Sequence, residues 1–125
     1  MKYANLIETL FERFPFLEQK YIEEGDYIAG LAHLCYSFVF IPYIREIVEN
    51  NDIENIIKVS EYLEDMAICE DEKVSELMVV SILENIVSER DLVKTLKAYL
   101  KPNTEEWLLN LEKAYGWDNE NTQGT

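Results

Sequence analysis

At 125 residues the chain is the size of one ordinary domain, able to bury about two-thirds of the surface its unfolded form exposes, and a 48% hydrophobic content excludes wholesale disorder. Twenty-five acidic against eleven basic side chains give a net charge of −14 and a sequence pI near 4.3. Such a surface repels phosphate backbones and anionic lipid, which argues against direct nucleic-acid or membrane binding and favours a basic protein partner, although acidity also serves simply to keep a chain soluble.

From the N-terminus, Leu6, Ile7, Leu10, Phe11 and Phe14 recur at helical spacing and predict a first helix, stopped by Pro15. A second, from Phe16 to about Glu24, ends at Gly25. A third is predicted over Ala29 to Phe40, and Pro42 suits the first turn of a fourth running to Asn50. Ten of the fifteen aromatic residues fall between Tyr3 and Tyr43, which predicts a bulky aromatic core.

Asp52 is placed to cap a fifth helix reaching Met66 or Cys69, with Ile53, Ile56, Ile57, Val59, Leu63, Met66 and Ala67 on its apolar face. After the turn CEDE, with Asp71 as cap, comes the most apolar element, Glu72 to Ser88. Its polar residues Ser81, Glu84, Asn85 and Ser88 share one narrow stripe. A helix so nearly apolar all round needs other helices to cover it, so it is expected to be a central rod with Leu77, Val80, Leu83 and Ile86 among the most buried side chains. The short loop before it makes an antiparallel hairpin with the fifth helix.

Ser88, with Asp91 three residues on, predicts a cap for a seventh helix to about Leu100, on which Arg90, Lys94, Lys97 and Lys101 form a basic stripe. Asn103 with Glu106 predicts a capping box for a last helix whose apolar face carries Trp107, Leu108, Leu111, Ala114 and Tyr115, and which Gly116 ends. The expectation is an all-α single domain over residues 1–116. It has about seven or eight helices packed as irregular antiparallel hairpins, a HEAT-like stack without a fixed repeat, followed by a flexible tail over 117–125 in which Trp117 has the chance to dock.

Few residues offer chemistry. Cys35 and Cys69 lack CxxC spacing and read as buried free thiols of a reduced compartment. His33 and Cys35 point to different sides of a helix, so His33 reads as a satisfied core or groove histidine. Metal, nucleotide and nucleophile motifs do not occur, and no cofactor is expected. The opening segment MKYANLIETLFERF carries Glu8 and Glu12, unlike a signal or transit sequence, so a cytoplasmic location is expected. The apolar run Ile28 to Ile41 falls short of the roughly 18 residues of a membrane span.

Between Asp52 and Glu76 nine acids stand against two bases, half the net charge in a fifth of the chain. Within it Glu61, Glu64, Asp65, Glu70, Asp71 and Glu72 gather at the end of the fifth helix and in the turn, and are the candidate partner-binding residues. The alternative is a plain solvated face. The turn lacks the alternating ligands and glycine of a calcium loop.

The segments FERFP, IPYIREIVENND and IIKVSEYLEDMAICEDEKVSELMVVSILENI, in that order, resemble a family of small acidic α-helical bacterial proteins met among the immunity proteins against polymorphic toxins. The resemblance covers most of residues 5–100. It implies a non-enzymatic protein that neutralises a toxin domain by binding it, many such domains being basic nucleases. It carries over no active site. The alternative is an acidic helical scaffold for a cellular protein partner; a small enzyme would need a polar pocket at His33, Glu84 or the tyrosines.

Overall fold

The computed structural model describes residues 1–117, and every regular element among them is helical. The helices are α1 Leu6–Arg13, α2 Leu17–Glu24, α3 over 32–49, α4 Ile53–Ala67, α5 over 72–86, α6 Arg90–Lys97 and α7 Pro102–Ala114. Tyr3–Asn5 and Asp26–Ile28 form single 3-10 turns.

Where two helices were expected around Pro42, one rod runs from 32 to 49. Its residues Tyr36–Phe40 are wound as a π-helix, with the Ile41 amide bonded to the Tyr36 carbonyl. In a regular α-helix a proline ring collides with the carbonyl four residues back, and the wider turn displaces that carbonyl. Pro42 therefore sits at the exit of the wide segment. The rod also begins three residues later than the expected Ala29, because Gly30 adopts a positive φ of 73° and its amide is held by the Tyr21 hydroxyl at 2.9 Å.

The α3–α4 junction packs two stop signals and a start into three residues. Asn51 takes the left-handed φ of 51°, and the amides of Asp52 and Asn51 return to the carbonyls of Ile47 and Val48. Asp52 then turns its carboxylate forward onto the Asn55 amide, the predicted cap. Asp71 caps α5 in the same way through the Lys73 amide.

Helix α4 lies between α3, α5 and α7. Being covered on several sides, it buries Ser60 and Tyr62 as well as Ile56, Val59, Leu63 and Met66, while Ile53 and Ile57, expected inside, are exposed. The aromatic core assembles beside it: Phe14 meets Phe40, Tyr43 and Tyr62 at centroid distances of 5.5–5.9 Å. Tyr36 donates its hydroxyl to the Leu6 carbonyl at 2.9 Å and lies 2.7 Å from the Tyr62 hydroxyl.

Helix α5 buries Leu77, Leu83 and Ile86 completely, as expected of the central rod, but Val80 is 47% exposed. At α spacing Val80 already lies on the far side from the buried Val74, Leu77, Met78, Ser81 and Ile82; along this stretch the helix is wound as a second π-helical segment, Met78–Leu83, closed by a bond from the Glu84 amide to the Val79 carbonyl. A π turn rotates the residues after it relative to α spacing, and here it brings Ile86 and Val87 onto the same buried face. Ser81, expected on an exposed stripe, is turned inward against His33, while Asn85 and Ser88 stay outside.

Two predicted caps are corrected. Helix α6 starts at Arg90 behind Glu89, not at Ser88, and ends at Lys97; the Glu89 carboxylate is engaged by Arg45 at 2.9–3.3 Å instead of capping. Helix α7 starts at Pro102, so Asn103 lies inside its first turn and forms no capping box with Glu106. Trp107 and Tyr115 are 41% and 54% exposed and Ala114 is exposed, leaving Leu108 and Leu111 to face the core.

Gly116, at φ 79°, ends α7, and the Trp117 amide returns to the Glu112 carbonyl at 2.7 Å. Trp117 packs against the core, with the Arg90 guanidinium 5.2 Å from its ring. The remainder of the expected tail, 118–125, lies outside the described residues.

Candidate functional site

The six acids singled out in the sequence divide into two groups. Glu64 reaches from α4 to the start of α7: one carboxylate oxygen accepts the Thr104 amide and hydroxyl, both at 3.0 Å, and the other accepts the Asn103 amide and side chain at 3.2 and 2.7 Å. Partial burial raises its pKa, but these donors together outweigh that and hold the carboxyl below its ordinary value. Asp65 pairs with Arg13 of α1. Asp71, besides capping α5, accepts the Tyr3 amide at 2.9 Å, and this bond, followed by the Lys73 amide, lowers its pKa.

Glu61, Glu70 and Glu72 form the second group. They are exposed, and among the described residues no ion pair or side-chain hydrogen bond engages their carboxylates. The arrangement is three free charges standing on a base that three bonded carboxylates hold rigid, with the Cys69 thiol also donating to the Met1 carbonyl at 3.1 Å. Cys69 is only half-buried, whereas Cys35 is fully buried and its thiol is pushed up to about 12 by that burial.

The sequence could flag the acids of the turn but not their partners. Arg13, Tyr3 and Thr104 lie 30 to 70 residues away along the chain, beyond the reach of any local spacing rule.

The basic stripe of α6 is likewise divided. Arg90 and Lys97 each approach Glu112 of α7 to 2.6 Å, and that carboxylate is wholly buried. No local pattern marks Glu112 in the sequence; its place under α6 follows from how α6 and α7 meet. Lys94 and Lys101 remain exposed.

His33 sits at the rim of two adjoining grooves, of about 360 and about 230 Å³, which share it and Tyr3. The larger is lined by the apolar residues Ile7, Leu31 and Leu34; the smaller brings Lys73 and Glu76 close. Far from being a core residue, His33 is exposed, with Nδ1 hydrogen-bonded to the buried Ser81 hydroxyl. That contact holds the ring through Nδ1. Glu84 takes a 3.3 Å contact from the Tyr115 hydroxyl and belongs to neither groove.

Among the described residues no cluster of three or more histidine, cysteine or acidic side chains is placed to hold a metal ion, and no helix is long and apolar enough to cross a membrane. Comparison with curated proteins and with solved structures returned no significant match. A family model does match, over residues 7–116, and so takes in all seven helices except the first residue of α1 and the last contacts at Trp117. The chain belongs to that family, described as Domain of unknown function (DUF7674).

Proposed function

We propose that the protein is a non-enzymatic binding module whose acidic turn docks a basic protein partner, and that this partner is a bacterial toxin domain neutralised by the contact. The observation that carries the reading is the division of labour among the acids. Glu64, Asp65 and Asp71 are spent on the fold, while Glu61, Glu70 and Glu72 are presented from the rigid end of the α4–α5 hairpin with their charges unengaged. Preorganised charge of one sign speeds encounter with an oppositely charged partner and selects it. A binding role is also supported at the other polar feature, since His33 is tied to a serine whose hydroxyl is buried. The toxin as partner rests on the resemblance of the helical pattern to immunity proteins.

The test is whether a large secreted protein with a variable C-terminal domain is encoded beside it and, if so, co-expression with that domain. Growth should recover, and the two chains should co-purify. Replacing Glu61, Glu70 and Glu72 with glutamine should slow association by roughly tenfold at low salt and flatten its salt dependence. If growth stays arrested and the chains do not associate, the toxin reading falls; an unchanged association rate in the triple variant removes the acidic turn as the docking face.

A further inference from the structure

At the opposite end of α4 from the acidic turn, Phe16 leaves 58% of its surface open and meets Tyr43 with ring centroids 5.1 Å apart and planes inclined at 63°. The two rings border a groove of about 360 Å³ between α2 and α3. Glu46 and Asp52 also line it. The Asp52 carboxylate accepts hydrogen bonds from its own neighbour Asn55, at 3.4 and 2.8 Å, and among the described residues no cation pairs with it; Glu46 is exposed. Lys20 is the one cation of the lining, and its charge is answered by Glu24 at 3.3 Å. The groove thus combines open aromatic surface with a net negative rim.

Aromatic faces flanked by carboxylates suit a flat, weakly hydrated cation, which stacks on a ring and donates in the ring plane at once. Arginine has both properties; the lysine ammonium is compact, strongly hydrated and binds as a point charge. We propose that this groove receives an arginine side chain of a basic protein partner, with the guanidinium against the Phe16 and Tyr43 rings and its N–H groups directed to Glu46. Burial, followed by the nearby charges of Asp52 and Glu46, raises the Tyr43 phenol above its ordinary value, in keeping with a negative field in the groove. The groove and the acidic turn are separated by the length of α4, about 22 Å at 1.5 Å per residue. The site therefore stands independently of the toxin reading and adds a second recognition point to the molecule.

The experiment uses the full chain and three short blocked peptides, acetyl-Gly-X-Gly-amide, with X as arginine, lysine or citrulline. Titration followed by NMR should give saturable shifts centred on Phe16, Tyr43 and Glu46 with the arginine peptide, weaker ones with lysine, and none with citrulline, which keeps the shape and lacks the charge. Phe16→Ala and Glu46→Gln alter exposed side chains, and the same spectra report that the fold is kept. Each should weaken the arginine peptide on the order of fivefold. Non-saturating shifts spread over the acidic surface, equal shifts from citrulline, undiminished affinity in both variants, or no response at all would each overturn the proposal. Because no toxin takes part, such a failure is distinct from failure of the co-expression test.

Discussion

Glu64 caps a helix to which it does not belong: its carboxylate accepts the Thr104 amide and hydroxyl, each at 3.0 Å, and so supplies from α4 what the start of α7 lacks in its own sequence. Lys101, at the cap position, makes no such bond. The positive end of the helix dipole favours the negative charge as well.

Glu64→Gln should cost about 1–3 kcal/mol at neutral pH, since it weakens charge-assisted bonds to partly buried donors. The carboxyl of Glu64 is held below its ordinary value of 4.5 in the folded chain, so its contribution is complete above that value and is lost as pH falls through the lowered one. The stability gap between wild type and Glu64→Gln should therefore narrow below pH 4.5, as measured by urea unfolding across a pH series. A gap that is constant with pH would mean that the charge plays no part.

Leu83 and Val80 sit three residues apart in α5 and separate cleanly in burial, at 0% and 47% exposed. Leu83→Ala should destabilise by about 2–5 kcal/mol through lost transfer energy and a cavity. Val80→Ala should stay within about 0.5 kcal/mol, as exposed substitutions do. Chemical denaturation of the two variants checks which face of α5 is buried, and equal losses would contradict it.

Glu112 is fully buried between Arg90 and Lys97, whose side chains are themselves only 16% and 22% exposed. Removing Glu112 takes away the one buried counter-charge that Arg90 and Lys97 share, so Glu112→Ala should cost about 3–5 kcal/mol. The exposed pair of Glu54 and Lys58, one helical turn apart at 3.6 Å, should contribute under about 0.5 kcal/mol when Glu54 is replaced by alanine. Denaturation midpoints for Glu112→Ala and Glu54→Ala should differ accordingly, and similar values would mean that burial does not govern these pairs.

Tyr36 and Tyr62 share a hydrogen bond but are not equivalent. The single proton of the Tyr36 hydroxyl goes to the Leu6 carbonyl, which leaves Tyr62 as the donor between the two rings. Tyr36→Phe removes both the bond to the Leu6 carbonyl and the acceptor of the Tyr62 hydroxyl, whereas Tyr62→Phe removes a donor and leaves the bond to Leu6 intact. The first should cost about 1–3 kcal/mol and the second about half that or less. Equal losses in thermal unfolding would contradict the assigned direction. Burial pushes the Tyr62 phenol up to about 12, so neither ring should ionise in the range where an exposed tyrosine does, a point that ultraviolet titration tests.

Helix identity was legible wherever a signal acts within one turn. Pro15, Gly25, Asp52, Asp71 and Gly116 each stop or start a helix through bonds to residues at most five away, and each lies where its local chemistry puts it. The caps assigned to Ser88 and Asn103 fail because a residue from a distant helix takes over: Arg45 draws Glu89 aside, and Glu64 replaces the missing cap of α7. The candidate site was legible to the same depth. Acidity of the turn is a sum over neighbouring residues, but the commitment of Glu64, Asp65 and Asp71 to Thr104, Arg13 and Tyr3 is a matter of which helices touch.

The sequence alone determines that this chain is all helical, strongly acidic and built on the apolar residues of α5, because helical periodicity and net charge are properties of neighbours and totals. Tertiary structure decides which of those residues face inward and which charges remain free. The π-helical segments Tyr36–Phe40 and Met78–Leu83 take part in this; the second turns Ile86 and Val87 onto the face that buries Leu77 and Ser81 and leaves Asn85 and Ser88 outside. Such a segment trades regular hydrogen bonding for a better fit between packed helices. That balance is struck only when the helices are in contact, so no period read along one strand of sequence contains it.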